Sequence, residues 1–160
     1  MRKELTTSVS RTCQTKLVLP PDTNHMGTIF GGTILSYIDE IGAISAMKHS
    51  GHAVVTASID TVSFLSSART GDILTLEGVV VSTGRTSMEI FVKVECMESA
   101  TRETRLTTTA FMTMVAIDEG GRPVAVPAVI PETPEERRLA QSAKFRKQRR
   151  MESANYGKEM

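Results

Sequence analysis

Two acidic residues, Asp39 and Glu40, lie inside an otherwise apolar segment with a helical pattern, and a glycine pair, Gly31 and Gly32, stands at its entrance. Ionised side chains in apolar surroundings are costly unless they are paired or used, so these carboxylates require a role. The N–H groups at a helix N-terminus are unpaired and lie at the positive end of the helix dipole. Glycine lets a ligand oxygen approach them closely. The segment therefore predicts a site for a ligand that carries an oxygen acceptor.

The elements that would position this site are one long helix and a series of strands. The helix is predicted from Gly31 to about Ser50 and is apolar on most sides, as expected of an enclosed helix. Alternation of apolar and polar residues is clearest in 86–98, where Phe91 is the one exception. Glycine-containing turns separate the strand candidates. The predicted strands are 9–18, 53–64, 73–83, 86–98 and 105–117.

The composition predicts a single domain followed by a basic helix. The chain has 160 residues and a formal net charge of +1, and a chain of this length can bury a substantial core. Basic residues concentrate in 137–150, within a second helix whose start is indicated by Thr133 and by Glu136 three residues later, a capping box. We therefore predict one domain over 1–135 and a basic C-terminal helix and tail over 136–160.

Several function classes receive no support from the sequence. No segment resembles a membrane span or a signal peptide, so we expect a cytoplasmic protein without a membrane partner. Cys13 and Cys96 fit no metal or redox spacing and are predicted to be reduced, inert packing residues. His49 and His52 have no carboxylate at ligand spacing, so no metal site is predicted. An aromatic content of 4% offers few stacking platforms, which argues against a nucleic-acid partner.

A sheet with a single helix to cover it leaves strand edges and part of its second face exposed. Exposed edges invite pairing with other chains, and association of identical chains is the common way to cover them. We therefore expect at least a dimer.

With these elements in place, the chain resembles the hotdog-fold acyl-CoA thioesterases of the cytosolic acyl-CoA hydrolase type. The resemblance covers about residues 8–130 and depends on three blocks of sequence in order. The first block is 22–32, with Asp39 seven residues beyond the glycine pair. The others are Val55–Asp60 continuing to Phe64, and Gly71-Asp72 followed by 84–89.

The resemblance implies an α+β hotdog fold, in which a curved antiparallel sheet wraps one long central helix, here with an additional C-terminal helix. It also implies dimers formed edge to edge into a continuous sheet, and commonly a trimer of dimers, which is a hexamer. The active site would lie at the dimer interface, where Asp39 of one chain faces Asn24 of the other. No cofactor is implied, because coenzyme A is part of the substrate and the product.

Hydrolysis of fatty acyl-CoA to free fatty acid and coenzyme A requires an attacking group and stabilisation of an oxyanion. By the resemblance, Asp39 is the catalytic carboxylate, acting either as general base on water or as nucleophile. Asn24 would orient water or polarise the thioester carbonyl, and backbone N–H groups of Gly31 and Gly32 would bind the oxyanion. Small helical neighbours of Asp39, such as Gly42, are expected to leave room for substrate. Glu40 points about 100° away and is expected to be structural.

The predicted coenzyme A site is the turn 84–87 together with one strand face. Gly84, Thr86 and Ser87 could contact the pantetheine arm, and Arg85 could reach a phosphate bidentately. Thr56 and Ser58 share a predicted strand face with Asp60 and could line the same groove. Two roles remain open for the basic run 144–150: binding the 3′-phosphate, or forming a solvated or frayed tail.

Two other functions on this fold remain as alternatives. A non-catalytic module that binds or senses acyl-CoA would use the same pocket, although such regulators normally carry a DNA-binding helix-turn-helix, for which the residues before the first strand are too few. A hydratase would pair a catalytic histidine with an acidic residue. His25 is the only histidine placed to serve, since none lies between Thr33 and Lys48.

Overall fold

A five-stranded antiparallel sheet packs against one long helix in the computed structural model, which describes residues 1–160. The strands lie in the order β2-β4-β5-β6-β3, so that β2 and β3 form the two edges. This architecture confirms the predicted α+β hotdog class. The elements in chain order are β1 (Glu4–Thr6), α1 (Thr7–Ser10), β2 (Thr12–Leu17), α2 (Gly31–Ser50), β3 (Ala53–Phe64), β4 (Ile73–Thr83), β5 (Ser87–Met97), β6 (Thr104–Ile117), β7 (Ala128–Ile130) and α3 (Pro134–Glu159).

Helix α2 is the central helix, and its buried residues recur at helical spacing. Ile34, Ile38 and Ile41 are almost completely buried and belong to a core of 20 buried residues shared with the sheet. The alternate residues of β5 from Met88 to Cys96 complete that core from the opposite side, as their period of two predicts. The helix ends at Ser50 and is followed by Gly51, whose φ of 72° places it in the left-handed region that glycine tolerates.

Gly42 brings α2 close to the sheet. A Cβ atom added there would lie 2.2 Å from Sδ of Met112, which is completely buried. Glycine at position 42 therefore allows α2 to pack closely against β6. The expectation that Gly42 leaves room for substrate is wrong, because Met112 occupies that space.

Helix α3 covers the outer face of the sheet, opposite α2. Arg146 of α3 forms two hydrogen bonds with the Glu89 carboxylate, each 2.8 Å long, and its guanidinium lies 4.2 Å from the centre of the Phe111 ring. Phe111 also packs against Phe91, with ring centroids 5.0 Å apart. The apparent exception at Phe91 is thus an apolar residue on a face that a second helix covers. The alternative that residues 144–150 form a solvated or frayed tail is therefore wrong for Arg146, which is bound to the sheet.

The capping box predicted at the start of α3 is present. The amide of Glu136 donates to Thr133 Oγ1 at 3.1 Å, and the amide of Thr133 donates to the Glu136 carboxylate at 3.2 Å. Glu136 also accepts a hydrogen bond from Thr7 and pairs with Arg11, so the beginning of α3 is attached to the N-terminal segment. Burial alone would raise the pKa of Glu136. The pKa is nevertheless lowered, because the carboxylate accepts hydrogen bonds from Thr7 and from backbone amides and lies beside the charge of Arg11.

The N-terminal strand prediction is only half right. The predicted strand 9–18 corresponds to β2, but residues Thr7–Ser10 form the short helix α1 instead. Ser10 explains this difference, because its hydroxyl accepts from the amide of Val80 at 2.9 Å and donates to the Thr7 carbonyl at 3.1 Å. Two short strands were not predicted: β1 and β7 pair in parallel, with Leu5 opposite Val129.

The two cysteines differ in their environments. Cys96 is buried, and burial, together with the Asp72 carboxylate to which its thiol donates, raises its pKa to about 11. Cys96 is therefore the inert thiol that the sequence predicts, whereas Cys13 is exposed and is not a packing residue. None of the helices combines the length and apolar character that a membrane span requires.

Candidate active site

Asp39 lies in the third turn of α2, half-buried, beside strand β3. Its Oδ1 accepts a hydrogen bond from Thr56 Oγ1 at 2.7 Å. Thr56 faces the helix because it stands opposite Met114 of β6, whose side chain is in the core. Thr56 thus fixes the orientation of the carboxylate, while Oδ2 of Asp39 has no partner within the chain. A carboxylate held in this way can accept a proton or attack a bound carbonyl carbon.

The N-terminus of α2 offers free backbone donors. The first amides bonded within the helix are those of Thr33 and Ile34, which donate to the Phe30 carbonyl at 3.1 and 3.2 Å. The amides of Gly31 and Gly32 precede them, and no side chain caps this end. A Cβ atom at Gly32 would meet nothing within 4 Å. The Gly32 amide, one of the two predicted oxyanion donors, is therefore open to a ligand, whereas the Phe64 ring lies close to Gly31.

Asn24 lies in the turn before α2, where its side chain is held by the backbone. Its Oδ1 accepts from the amides of Met26 at 2.9 Å and Thr28 at 3.2 Å, and its Nδ2 lies 2.9 Å from Thr28 Oγ1. These contacts are the turn chemistry that the residue type predicts. They also orient the amide so that one N–H of Nδ2 remains to donate to another group.

The groups of one chain do not converge on a single point. Gly31 and Asp39 are eight residues apart in the same helix, which corresponds to about 12 Å along its axis. Around the helix N-terminus, four large apolar side chains are exposed to solvent, and two of them, Phe64 and Leu65, line a cavity of about 400 Å³ together with Gly31 and Ile34. Those exposed side chains are Met26 (63%), Phe30 (51%), Phe64 (53%) and Leu65 (57%).

The turn between β4 and β5 contains the predicted coenzyme A ligands. The amide of Gly84 donates to the Ser87 carbonyl at 2.9 Å, and the carbonyls of Arg85 and Thr86 accept from Val126 and Ala116. The Arg85 side chain is exposed and makes no ion pair. Met88, the residue that follows this turn, lies opposite Met114 of β6, and Met114 lies opposite Thr56 of β3. The turn therefore lies about two strand spacings, roughly 10 Å, from Thr56, which holds the Asp39 carboxylate.

Thr56 and Ser58 lie on opposite faces of β3. The pairing with β6 shifts register between them, so Ala57 is an additional residue that reverses the alternation. Thr56 contacts α2, whereas Ser58 Oγ donates to Asp60 Oδ1 at 2.5 Å beneath α3. The prediction that Thr56 and Ser58 line one groove is therefore wrong, because a β-bulge separates them.

The basic run 144–150 is divided between buried and exposed residues. Arg146 and Arg150 bind Glu89, whose side chain is only 3% exposed. Lys144 and Lys147 line a cavity of about 280 Å³ together with Gly84 and Ser87. Sequence reasoning missed Glu89 and Asp60 as partners of these arginines, since nothing in their local pattern distinguishes them from solvated strand acids. No group of three or more side chains that could ligate a metal is present.

Comparison with known proteins identifies the family. Residues 26–102 match the thioesterase superfamily. The chain is 45% identical to a Bacillus subtilis protein described as an uncharacterized acyl-CoA thioester hydrolase, YkhA, over 90% of this chain and 86% of that protein. It is 33% identical to the rat cytosolic acyl coenzyme A thioester hydrolase over 88% of this chain, and spans only 38% of that longer protein.

Solved structures agree with this assignment. A hexameric acyl-CoA thioesterase is 58% identical, with a TM-score of 0.93 over 95% of this chain and 97% of that one. The Staphylococcus aureus acyl-CoA hydrolase, solved with butyryl coenzyme A and coenzyme A, is 40% identical, with a TM-score of 0.92 over 98% of this chain and 95% of that one. Variants of the latter with an asparagine, an aspartate or a threonine changed to alanine have also been solved. The chain therefore belongs to the thioesterase superfamily, among the hotdog-fold acyl-CoA thioester hydrolases.

Proposed function

We propose that the protein hydrolyses fatty acyl-CoA to free fatty acid and coenzyme A, with Asp39 as its catalytic carboxylate. The observation that carries this proposal is the Asp39 carboxylate, which Thr56 orients at 2.7 Å while its second oxygen stays free. The same helix presents the uncapped amides of Gly31 and Gly32 at its N-terminus. One fold thus supplies both an attacking or proton-accepting group and oxyanion donors, which are the two requirements of thioester hydrolysis.

Two reaction routes can use these groups. In the first, Asp39 accepts a proton from water as the water oxygen bonds to the thioester carbonyl carbon. In the second, Asp39 itself bonds to that carbon, and water then hydrolyses the resulting anhydride. In both, the C–S bond breaks and the coenzyme A thiolate takes up a proton. Donors bound to the tetrahedral oxyanion contribute about 3 kcal/mol each to stabilising it.

The spacing of the variants in the Staphylococcus aureus hydrolase supports the assignment. There, the altered aspartate follows the altered asparagine by 15 residues, and the altered threonine follows the aspartate by 17. In this chain, Asp39 follows Asn24 and Thr56 follows Asp39 at the same two intervals. We therefore propose Asn24 as the donor to the thioester carbonyl, and Thr56 as the residue that orients Asp39 instead of a coenzyme A ligand.

We further propose that two chains share each active site. Because Gly31 and Asp39 of one chain are about 12 Å apart, one thioester carbonyl cannot contact both. Asn24 lies at the Gly31 end of the helix, so Asn24, Gly31 and Gly32 of one chain would face Asp39 of another. The exposed edge strand β3 offers backbone pairing for such a dimer. The hexameric relative supports a trimer of dimers.

The proposed activity is tested by measuring release of free coenzyme A thiol from acyl-CoAs of graded chain length. We expect turnover with at least part of the series, because the exposed apolar side chains near Gly31 can cover an acyl chain. Tight binding of acyl-CoAs without turnover at any length would overturn the proposal and favour the sensing module instead.

Arg85 is proposed to bind a phosphate of coenzyme A, since its side chain is exposed and free of ion pairs. Changing Arg85→Gln is expected to raise KM about tenfold with little change in kcat, because a charge-assisted hydrogen bond contributes about 1.5 kcal/mol. For the unaltered protein, KM should rise with added salt for acyl-CoA but not for an acyl-pantetheine without the nucleotide. The KM of a protein with both Lys144→Gln and Lys147→Gln measures how much the basic residues of α3 contribute to phosphate binding. An unchanged KM in the Arg85 variant would contradict this role.

A further inference from the structure

Strand β3 carries Thr56 but is weakly fixed by the sheet. It is an edge strand whose only strand partner in the chain is β6. Its pairing shifts register twice within a short stretch, between Thr56 and Ser58 and again between Ile59 and Thr61. Bulges leave residues without ladder hydrogen bonds and bend the strand. The sheet by itself therefore defines the position of this segment less firmly than that of a regular central strand.

Helix α3 supplies a second support at the same segment. Arg150 Nη1 pairs with Asp60 Oδ2 at 3.3 Å, and Asp60 Oδ1 accepts from Ser58 Oγ at 2.5 Å. The same Nη1 pairs with Glu89 Oε2 at 2.9 Å. Glu89 in turn is held by Arg146. A chain of polar contacts thus runs from the centre of the sheet through α3 to the bulged part of β3.

The ion pairs of Arg150 are shielded from solvent and can therefore hold this segment of β3 in place. The side chains of Arg150 and Asp60 are 20% and 14% exposed, and that of Glu89 is 3% exposed. Ion pairs shielded from solvent are screened less by salt than exposed ones, and removing one partner leaves an unpaired charge. The Asp60 contact lies four residues from Thr56 and the Ser58 contact two residues from it. Movement of this segment would move the Thr56 hydroxyl.

We propose that Asp60 and Arg150 are positioning residues, which hold the bulged segment of β3 so that Thr56 orients the Asp39 carboxylate. This inference rests on the proposed catalytic role of Asp39. It also gives Arg150 a role other than phosphate binding, because two carboxylates already lie within 3.3 Å of its Nη1.

The test compares Asp60→Asn and Arg150→Gln with a matched control on the same helix. Both variants should lower kcat about tenfold and leave KM within about twofold, since small displacements at a reacting centre cost rate. Arg138→Gln removes the same charge from an exposed site on α3 without a bond to β3, and should match the unaltered protein. Arg150→Lys should restore most of the rate, because one nitrogen atom bonds both carboxylates. Size-exclusion chromatography and melting temperature confirm that the compared variants are assembled.

Each outcome decides the question. Unchanged kcat in Asp60→Asn, with Asp39→Asn inactive, would overturn this inference and leave the proposed function intact. A raised KM in Arg150→Gln with unchanged kcat would assign Arg150 to phosphate binding instead. Asp60→Asn would not give that result, because it removes a negative charge and so does not weaken the binding of a phosphate. An active Asp39→Asn protein would remove the proposed catalytic role of Asp39, on which this inference rests, and leave the hydrolase activity itself in place. Should Asp60→Asn fail to assemble, Ser58→Ala tests the same link, with a smaller loss of kcat expected.

Discussion

Replacing Asp39→Asn is expected to lower kcat for acyl-CoA hydrolysis at least about a hundredfold while the protein keeps its fold and still binds acyl-CoA. The amide has nearly the same shape, and its oxygen can still accept the Thr56 hydrogen bond. It can neither take a proton from water nor attack a carbonyl carbon. Turnover measured by thiol release, together with calorimetric binding of acyl-CoA, separates loss of chemistry from loss of substrate.

Glu40→Gln is the matched control for this experiment. It removes the same charge from the adjacent helical position, where the side chain is exposed and points about 100° away. We expect turnover close to that of the unaltered protein. If Asp39→Asn retained comparable turnover in a correctly assembled protein, the carboxylate would have no catalytic role. If both variants lost activity equally, the cause would be the charge of this helix and not the geometry of Asp39.

Most of the fold could be predicted because its main elements have strong local signals. The predicted bounds of α2 and of the four strands after it agree with the structure to within about a residue. The strands β1 and β7 could not be predicted, because each is three residues long and pairs with a segment more than a hundred residues away. Helix α1 was missed for a similar reason, since the Ser10 contact with Val80 depends on tertiary structure.

The same division between local and long-range signals applies to the site. The positions of Gly31, Gly32 and Asp39 follow from a helix pattern and are where the sequence predicts them. The separation of Thr56 from Ser58 depends on a bulge at Ala57, which has no distinctive residue type. The ion pairs of Glu89 and Asp60 could not be predicted, because their arginine partners lie on a second helix that is distant in the sequence. Errors therefore concentrate where the structure depends on contacts between distant parts of the chain, such as Gly42 with Met112 and Arg150 with Asp60.

Asn24→Ala and Asp39→Ala proteins, each nearly inactive alone, are expected to regain activity when they are unfolded and refolded as an equal mixture. If two chains share each site, a hybrid dimer combines the intact Asn24 of one chain with the intact Asp39 of the other. About half of randomly formed dimers are hybrids, and each has one of its two sites intact, so about a quarter of the original activity should return.

Hybrid formation is verified by attaching different affinity tags to the two variants and isolating assemblies that carry both tags. Assemblies that carry both tags should have about half of the original activity if they are isolated dimers, and about a quarter if they are trimers of randomly formed dimers. Sites built within one chain would stay broken in every hybrid, because each chain still lacks one of the two residues. Inactive purified hybrids would therefore exclude the shared site. The 12 Å between Gly31 and Asp39 in one helix would then require Asp39 to act without these oxyanion donors.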